Sequence, residues 1–356
     1  MPKITLSVAI RTVKVIEVLS HERDFFLTLL TDLVTMNSSS RHFVINLVKS
    51  VLALGSAYFI YVKIISRPDF DEMLAGIKSA LLNPSNSFIL VTVGFLMLVN
   101  WLLETGKWKL LLQRFYPAGW LSCFRAVMSG VTVSIFTPNR TGEFAGRVMH
   151  MESGSRIKGA IAAIIGSMNQ LLVTIIAGGM GLLFSLNDFM NEDKVVIQLV
   201  GALILAGMIG LIIIYFRLPL LGKIIAKTNA LKKLALYARI FSLYTRYDLL
   251  KLTMLSAFRY LVFSYQFILM LEFFGVSLPY LEAMRLITLI YLVMAVVPSI
   301  ALSELTVRGS VALYFLSPVA ANPAAILAAT SVLWLINLAI PAILGALSVF
   351  YFRLNR

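Results

Sequence analysis

The sequence predicts an all-α integral membrane protein that crosses the bilayer several times. Apolar residues make up 59% of the 356 residues and charged residues only 13%, and the mean hydropathy is +0.88. Soluble domains are closer to half apolar and a quarter charged. Several stretches also reach the roughly 20 apolar residues that a helix needs to cross the hydrocarbon core. We expect about six full spans and two re-entrant helical hairpins, or seven to nine apparent transmembrane helices.

The spans are predicted where apolar sequence runs without interruption. These stretches are residues 44–65, 87–104, 158–186, 195–216, 252–275 and 324–351. Two further apolar regions, 121–150 and 284–320, are each interrupted by a proline. Residues 1–41 resemble a charged amphipathic helix on the membrane surface. We therefore assign 1–41 to an N-terminal tail and 42–356 to the transmembrane domain.

The distribution of basic residues orients these spans. The net charge of +14 is explained by the positive-inside rule, because most Lys and Arg residues flank apolar segments, and we expect no nucleic-acid partner. Segment 217–251 carries eight Lys and Arg residues against one Asp. We predict that it is a cytoplasmic connector that attracts anionic lipids of the inner leaflet. The acidic link 187–194 then faces outward, and the C-terminus, with Arg353 and Arg356, is cytoplasmic.

The same orientation predicts an inverted-topology repeat. If residues 105–120 and 156–158 are both cytoplasmic, region 121–155 must enter and leave the membrane on one side. Region 284–320 must dip in from the opposite side. Repeat A (about 87–186) would then mirror repeat B (about 252–352). The alternative is that each interrupted region crosses once, as a helix kinked at its proline.

A polar motif, Thr137-Pro-Asn-Arg-Thr-Gly-Glu-Phe-Ala-Gly-Arg147, interrupts the first region. The proline ends the incoming helix, and the following turn residues suit the start of a new one. A helix start at membrane depth, next to permanently charged arginines, is an anion site that suits phosphate. The acid one turn before Arg147 can pair with it. The alternative is a polar cluster at the membrane edge that only closes a turn through its own salt bridges.

A cruder copy of this motif, Pro298-Ser-Ile-Ala-Leu-Ser-Glu304-Leu-Thr-Val-Arg308, interrupts the second region. Paired interruptions of this kind point to a transporter's binding site. We assign helix breaks to Pro138, Gly142 and Pro298. We assign substrate binding to Arg140, Thr141, Glu143, Arg147, Asn169, Gln170, Glu304 and Arg308.

Other polar residues inside the spans are less specific. Asn169 and Gln170 either face the cavity or hydrogen-bond to a neighbouring helix. We interpret Arg259 as extending to the cytoplasmic interface, with a substrate contact as the alternative. Glu104 lies near a predicted helix end and is given no function. A single cysteine and three scattered histidines predict no metal site, and we expect no cofactor.

The first motif resembles the signature of the lysylphosphatidylglycerol synthase transmembrane (flippase-like) family. This family is related to the N-terminal membrane half of multiple peptide resistance factor. The resemblance covers about residues 44–352. In the second motif, Val307-Arg308-Gly309 keeps the family's arginine but lacks its usual following glutamate, and Glu304 is the candidate replacement. The resemblance implies a bacterial inner-membrane protein that translocates a phospholipid or a polyprenyl-phosphate-linked sugar. Because the sequence ends at Arg356, we expect no synthase domain.

Three functions fit the sequence. The first is a flippase that binds a lipid headgroup and forms possible homo-oligomers. The second is an enzyme that modifies a headgroup, with Glu143 as general base. The third is a scaffold for a cell-envelope glycosyltransferase or lipid-modifying enzyme. No paired Asp and His set supports the second, so we expect a protein that is not an enzyme, with the scaffold as the alternative to the flippase.

Overall fold

The computed structural model describes residues 84–351, except 136, 138–139, 191–192, 228–238, 298–300 and 321, and also Asp71, Ala75 and Lys78. The predicted tail 1–41 and the predicted span 44–65 lie outside the described residues. Every regular element in the described part is a helix. The helices are α1 (Pro84–Leu112), α2 (Trp120–Ser134), α3 (Gly142–Val148), α4 (Arg156–Phe189), α5 (Lys194–Phe216), α6 (Leu218–Lys227), α7 (Arg246–Phe273), α8 (Tyr280–Val296), α9 (Ala301–Leu316), α10 (Pro323–Trp334) and α11 (Ile340–Tyr351).

Within the described residues, five helical segments are long and apolar enough to cross a membrane. They are Asn86–Leu112, Ser153–Phe189, Lys194–Phe216, Arg246–Phe273 and Pro323–Ala346. Each coincides with a predicted span, so the prediction of an all-α polytopic membrane protein is confirmed. The last segment joins α10 to α11 through a π-helical turn, Leu335–Ala339. The first runs eight residues beyond the predicted end at Glu104, and this difference matters for the site.

Helices α1 and α7 run antiparallel along most of their length. Their contacts ascend along one helix while they descend along the other: Asn86 with Phe273, Val93 with Gln266, and Asn100 with Arg259. Near the ends of this pair, Arg114 donates a hydrogen bond of 2.7 Å to Asp248, which also caps the first turn of α7. These helices begin the two predicted repeats, so the first helices of the two repeats are antiparallel.

Two further contacts join helices of one predicted repeat to helices of the other. Helix α2 packs against α11, whereas its counterpart α8 packs against α4. Glycines make both contacts close, because an added Cβ at Gly345 would collide with Thr132, and one at Gly181 would collide with Thr288. Small residues at such crossings allow helices to approach in a membrane. The Gly178–Gly181 run is therefore a packing element.

The first interrupted region is a hairpin. A Cβ added at Gly146 in α3 would lie 2.6 Å from Gly130 Cα and from the Ser129 carbonyl oxygen in α2. The same atom at Gly142 would lie 2.7 Å from the Val133 carbonyl oxygen. The pairing of later with earlier residues shows that the chain reverses direction after α2. The alternative of a single kinked crossing is therefore wrong for this region.

The second interrupted region also folds back on itself. Helix α9 packs against α8, and also against α10, which follows it. The charge of Arg308 in α9 acts on the Tyr291 hydroxyl in α8. The motif proline, Pro298, lies outside the described residues, so the predicted helix break is located only by the end of α8 at Val296 and the start of α9 at Ala301.

The two hairpins are expected to open to water on opposite sides of the membrane. Single cysteines at Thr141 and Ser303, in a Cys123→Ser background, test this by labelling with a membrane-impermeant maleimide from each side. We expect Thr141→Cys to react from the cytoplasmic side and Ser303→Cys from the outer side. Labelling of both from one side would contradict the inverted orientation of the hairpins.

Candidate functional site

A buried cluster of charged residues lies where α1, α3, α4 and α7 meet. Its centre is Glu104 of α1, which is only 4% exposed. One carboxylate oxygen accepts from Arg147 at 2.6 Å, and the other accepts from Arg259 at 2.6 Å. Lys107, one turn further along α1, lies 3.2 Å from the same carboxylate. A single acid thus binds three cations from three helices.

Arg147 connects this centre to the first hairpin. Its guanidinium also pairs with Glu143 one turn earlier in α3, which confirms the pairing predicted from their spacing. The side chain is buried, and its guanidinium carbon lies 5.4 Å from the ring centre of Trp108. The close packing of Gly146 against Gly130 brings α3 near enough to α1 for Arg147 to reach Glu104.

Arg259 connects the centre to the middle of α7. It donates a hydrogen bond of 2.7 Å to the Asn100 side-chain oxygen in addition to its pair with Glu104. Its guanidinium carbon lies 5.6 Å from the ring centre of Trp101 and 5.4 Å from that of Phe263. The interpretation that Arg259 extends to the cytoplasmic interface is wrong, because its partners are internal.

The two polar residues predicted in α4 have different roles. Gln170 accepts a hydrogen bond of 3.2 Å from Lys107, so it lies at the edge of the charged cluster. Asn169 is fully buried and bonds instead to Tyr215, Thr253 and Ser256 on α5 and α7. Its contacts are those of the alternative in which it joins neighbouring helices.

Arg140 lies in the turn before α3 and adopts an unusual backbone conformation. Its φ is +58°, the left-handed region that costs a non-glycine residue about 1–2 kcal/mol. Its Nε is buried and has no hydrogen-bond partner among the described residues. Its charge acts on both Glu143 and Arg259. The fold therefore holds a strained cation beside the cluster, and no acid in the described part of the chain forms a salt bridge with it.

The turn differs in detail from the sequence prediction. Thr137 accepts a hydrogen bond of 2.7 Å from the Gly142 backbone N–H, whereas Thr141 is exposed and makes no capping hydrogen bond. Gly142 is the first residue of α3, directly after the break between α2 and α3, and Thr137 leaves no room for a side chain there. Pro138 lies outside the described residues. Because α3 has only seven residues, the arginine side chains are the main source of positive potential here, not the helix dipole.

Several hydrogen-bond donors around the cluster have no acceptor. Five buried N–H groups lack a hydrogen-bond partner among the described residues: those of Asn100 Nδ2, Trp101 Nε1, Trp108 Nε1, Arg140 Nε and Arg147 Nε. Buried donors are normally satisfied, so a group of them around one cluster needs an explanation. Since all five donate, a group rich in acceptor oxygens would satisfy them.

The described part of the second motif lies in α9, which packs against α8. The Phe263 ring lies next to the Arg259 guanidinium. The backbone carbonyl of Phe263 accepts a hydrogen bond of 3.2 Å from the Tyr291 hydroxyl. The positive charge of Arg308 acts electrostatically on the same hydroxyl. Glu304 is in the first turn of α9, but its side chain lies outside the described residues, as does Pro298.

Sequence reasoning missed Glu104, Lys107, Arg259 and Asn100 as members of the cluster. Glu104 was placed at a helix end because Lys107 and Lys109 follow it, yet α1 continues to Leu112. Within that longer helix, Asn100, Glu104, Lys107 and Leu111 follow a spacing of three or four residues and lie on one buried face. From that periodicity, the sequence could have indicated that these residues share one buried helix face. Within the described residues, no group of three His, Cys, Asp or Glu side chains is arranged to hold a metal ion.

Comparison with known proteins identifies the family. No curated protein and no solved structure shows a significant match to the chain. The family described as the lysylphosphatidylglycerol synthase TM region matches residues 46–345, which is most of the sequence and includes both motifs. The chain belongs to the lysylphosphatidylglycerol synthase transmembrane-region family, a family of multi-pass membrane proteins with a lipid-related function.

Proposed function

We propose that this protein translocates a lipid with an anionic, phosphate-containing headgroup. The headgroup passes along the charged cluster while its acyl chains stay in the bilayer. The observation that carries the proposal is the charge balance of the cluster. Among the described residues, four cations (Lys107, Arg140, Arg147 and Arg259) face two carboxylates (Glu104 and Glu143), a formal excess of two positive charges.

A buried excess of positive charge is costly unless an anion compensates it. A phosphodiester supplies one negative charge and several acceptor oxygens, and the unsatisfied N–H groups around the cluster supply donors for them. Arginine is well suited to this contact, because its planar guanidinium can donate two parallel hydrogen bonds to phosphate. The site therefore complements a phosphate in both charge and donor geometry.

The positions of the arginines give the headgroup a route. Arg140 and Arg147 belong to the first hairpin, Arg259 lies in the middle of α7, and Arg308 belongs to the second hairpin. In the absence of lipid, Glu104 holds Arg147 and Arg259 in place. A phosphate that enters competes with Glu104 and moves from one arginine to the next. The inverted repeat supports such a route, because inverted halves can open alternately to the two sides.

This proposal describes transport without chemical change of the lipid. We place the protein in a bacterial inner membrane with a cytoplasmic C-terminus, as the charge distribution predicts. Glu143 would orient Arg147 and would not act as a general base, since its carboxylate is already paired with that arginine. The motifs would then be a transport site and not only a structural element of a scaffold.

Reconstitution tests this function directly. Purified protein is placed in vesicles that contain fluorescent phosphatidylglycerol or phosphatidylcholine, and dithionite bleaching reports the fraction of probe in the outer leaflet. We expect the protein to accelerate exchange of the anionic probe more than that of the zwitterionic one. Chromatography should recover both probes unmodified. A chemically altered lipid would favour an enzyme, and exchange no faster than in protein-free vesicles would favour a scaffold.

A further inference from the structure

A largely apolar cavity of about 830 Å³ lies between α1 and α7, on the other side of α1 from the charged cluster. Its wall on α1 is formed by residues between Val99 and Gln113 that recur with helical spacing. They lie on a different face of α1 from the buried residues of the cluster. Its wall on α7 runs from Tyr247 to Phe258. Leu102, Met254 and Phe258 are each more than half exposed. We call this cavity the α1–α7 groove.

One end of the groove is basic and aromatic. Lys109 and Lys251 line it, together with Trp120 and Tyr247. The Lys109 ammonium lies 5.2 Å from the Trp120 ring centre, and the Lys251 ammonium lies 4.3 Å from the Tyr247 ring centre. Tryptophan and tyrosine concentrate at the membrane–water interface, and lysine at the same level faces lipid headgroups. This end of the groove therefore lies at headgroup level.

The two lysines have no acidic partner in the described part of the chain. The nearby carboxylate of Asp248 is used by Arg114 and by the first turn of α7. The basic end of the groove matches the phosphate of an anionic phospholipid, and the apolar wall matches its acyl chains. The phosphate would contact the lysines, and one acyl chain would lie along the apolar wall.

We infer that the α1–α7 groove binds one anionic phospholipid, with its phosphate between Lys109 and Lys251. A second copy of the chain fits the groove less well. A two-fold axis along the membrane normal would place the same two lysines of both copies at one depth, where they would repel. The groove is separate from the charged cluster, so this binding does not depend on transport through that cluster.

Binding to the detergent-solubilised full chain tests the inference. Native mass spectrometry during titration with phosphatidylglycerol and with phosphatidylcholine gives the dissociation constant of each first-bound lipid. We expect phosphatidylglycerol to bind more tightly. The double variant Lys109→Gln, Lys251→Gln should weaken its binding roughly 10- to 30-fold, since a basic residue at the membrane surface contributes about a factor of five to attraction of anionic lipid. Lys158→Gln with Lys194→Gln, two exposed lysines elsewhere, is the matched control and should change little.

A fluorescence measurement places the lipid. Phosphatidylglycerol with brominated acyl chains should quench the emission of Trp120, so the loss of signal should be smaller in Trp120→Phe. Gly106→Leu, which fills the groove, should reduce both quenching and binding. Equal affinity for the two lipids, or an unchanged affinity in the double lysine variant, would overturn the inference. Cross-linking of groove residues between two copies at the expense of lipid binding would also overturn it.

Discussion

Replacing Glu104 by glutamine is expected to abolish lipid translocation and to destabilise the protein strongly. The substitution keeps the shape of the side chain but removes the charge that Arg147, Arg259 and Lys107 share. Breaking a buried ion pair by removing one partner costs about 3–5 kcal/mol, because the other charge stays buried without compensation. Three cations lose their contact with the Glu104 carboxylate here, and among the described residues only Arg147 keeps an acidic partner, Glu143, so we expect a loss within that range.

Two measurements check this expectation. Thermal unfolding in detergent should show a lower midpoint for Glu104→Gln than for the wild type, and reconstituted variant should show the exchange rate of protein-free vesicles. Glu272→Gln is the matched control, because it changes an exposed acid on α7. Wild-type stability and wild-type exchange in Glu104→Gln would show that the cluster is dispensable.

Replacing Arg140 by glutamine is expected to abolish translocation with little loss of stability. Arg140 has no acidic partner in the described residues, so its removal leaves no stranded carboxylate. The backbone strain at φ +58° is unchanged by glutamine, since both residues carry a Cβ. At Arg140, translocation should therefore be lost while stability is kept, whereas Glu104→Gln should lose both.

Further substitutions at Arg140 and at other residues of the two motifs test which property of the side chains translocation requires. Arg140→Lys should retain part of the activity because it keeps the charge, although it loses the two-pronged contact with phosphate. Arg140→Gly should be inactive and at least as stable as the wild type, since glycine relieves the strain. Glu143→Gln should be inactive because Arg147 loses an orienting partner. Arg308→Gln should impair transport without abolishing it, since its motif is degenerate.

The sequence was sufficient to predict the five spans within the described residues and the fold-back of the two interrupted regions. Long apolar runs and flanking Lys and Arg residues are properties of local sequence, and the hydrocarbon core imposes them strongly. The resemblance between the two motifs indicated the inverted repeat, and the antiparallel contact of Asn100 on α1 with Arg259 on α7 is the tertiary form of that relation.

The composition of the site was predicted only in part. Glu143 and Arg147 are one turn apart in sequence, so their pairing was visible. Glu104 and Arg259 are 155 residues apart, and nothing local shows that their helices cross at these positions. The glycine contact of Gly130 with Gly146 was missed for the same reason. Partners that meet only through helix packing cannot be identified from one sequence without knowing the register of the helices.

The most direct measurement of the central claim is the rate of phosphatidylglycerol exchange by Arg140→Gln, compared with Arg140→Lys and with wild type in matched vesicles. Size-exclusion profiles and melting temperatures first establish that the three proteins are equally folded. The headgroup route predicts background exchange for Arg140→Gln and intermediate exchange for Arg140→Lys. Wild-type exchange by a well-folded Arg140→Gln protein would contradict the route and leave the first hairpin as a structural element.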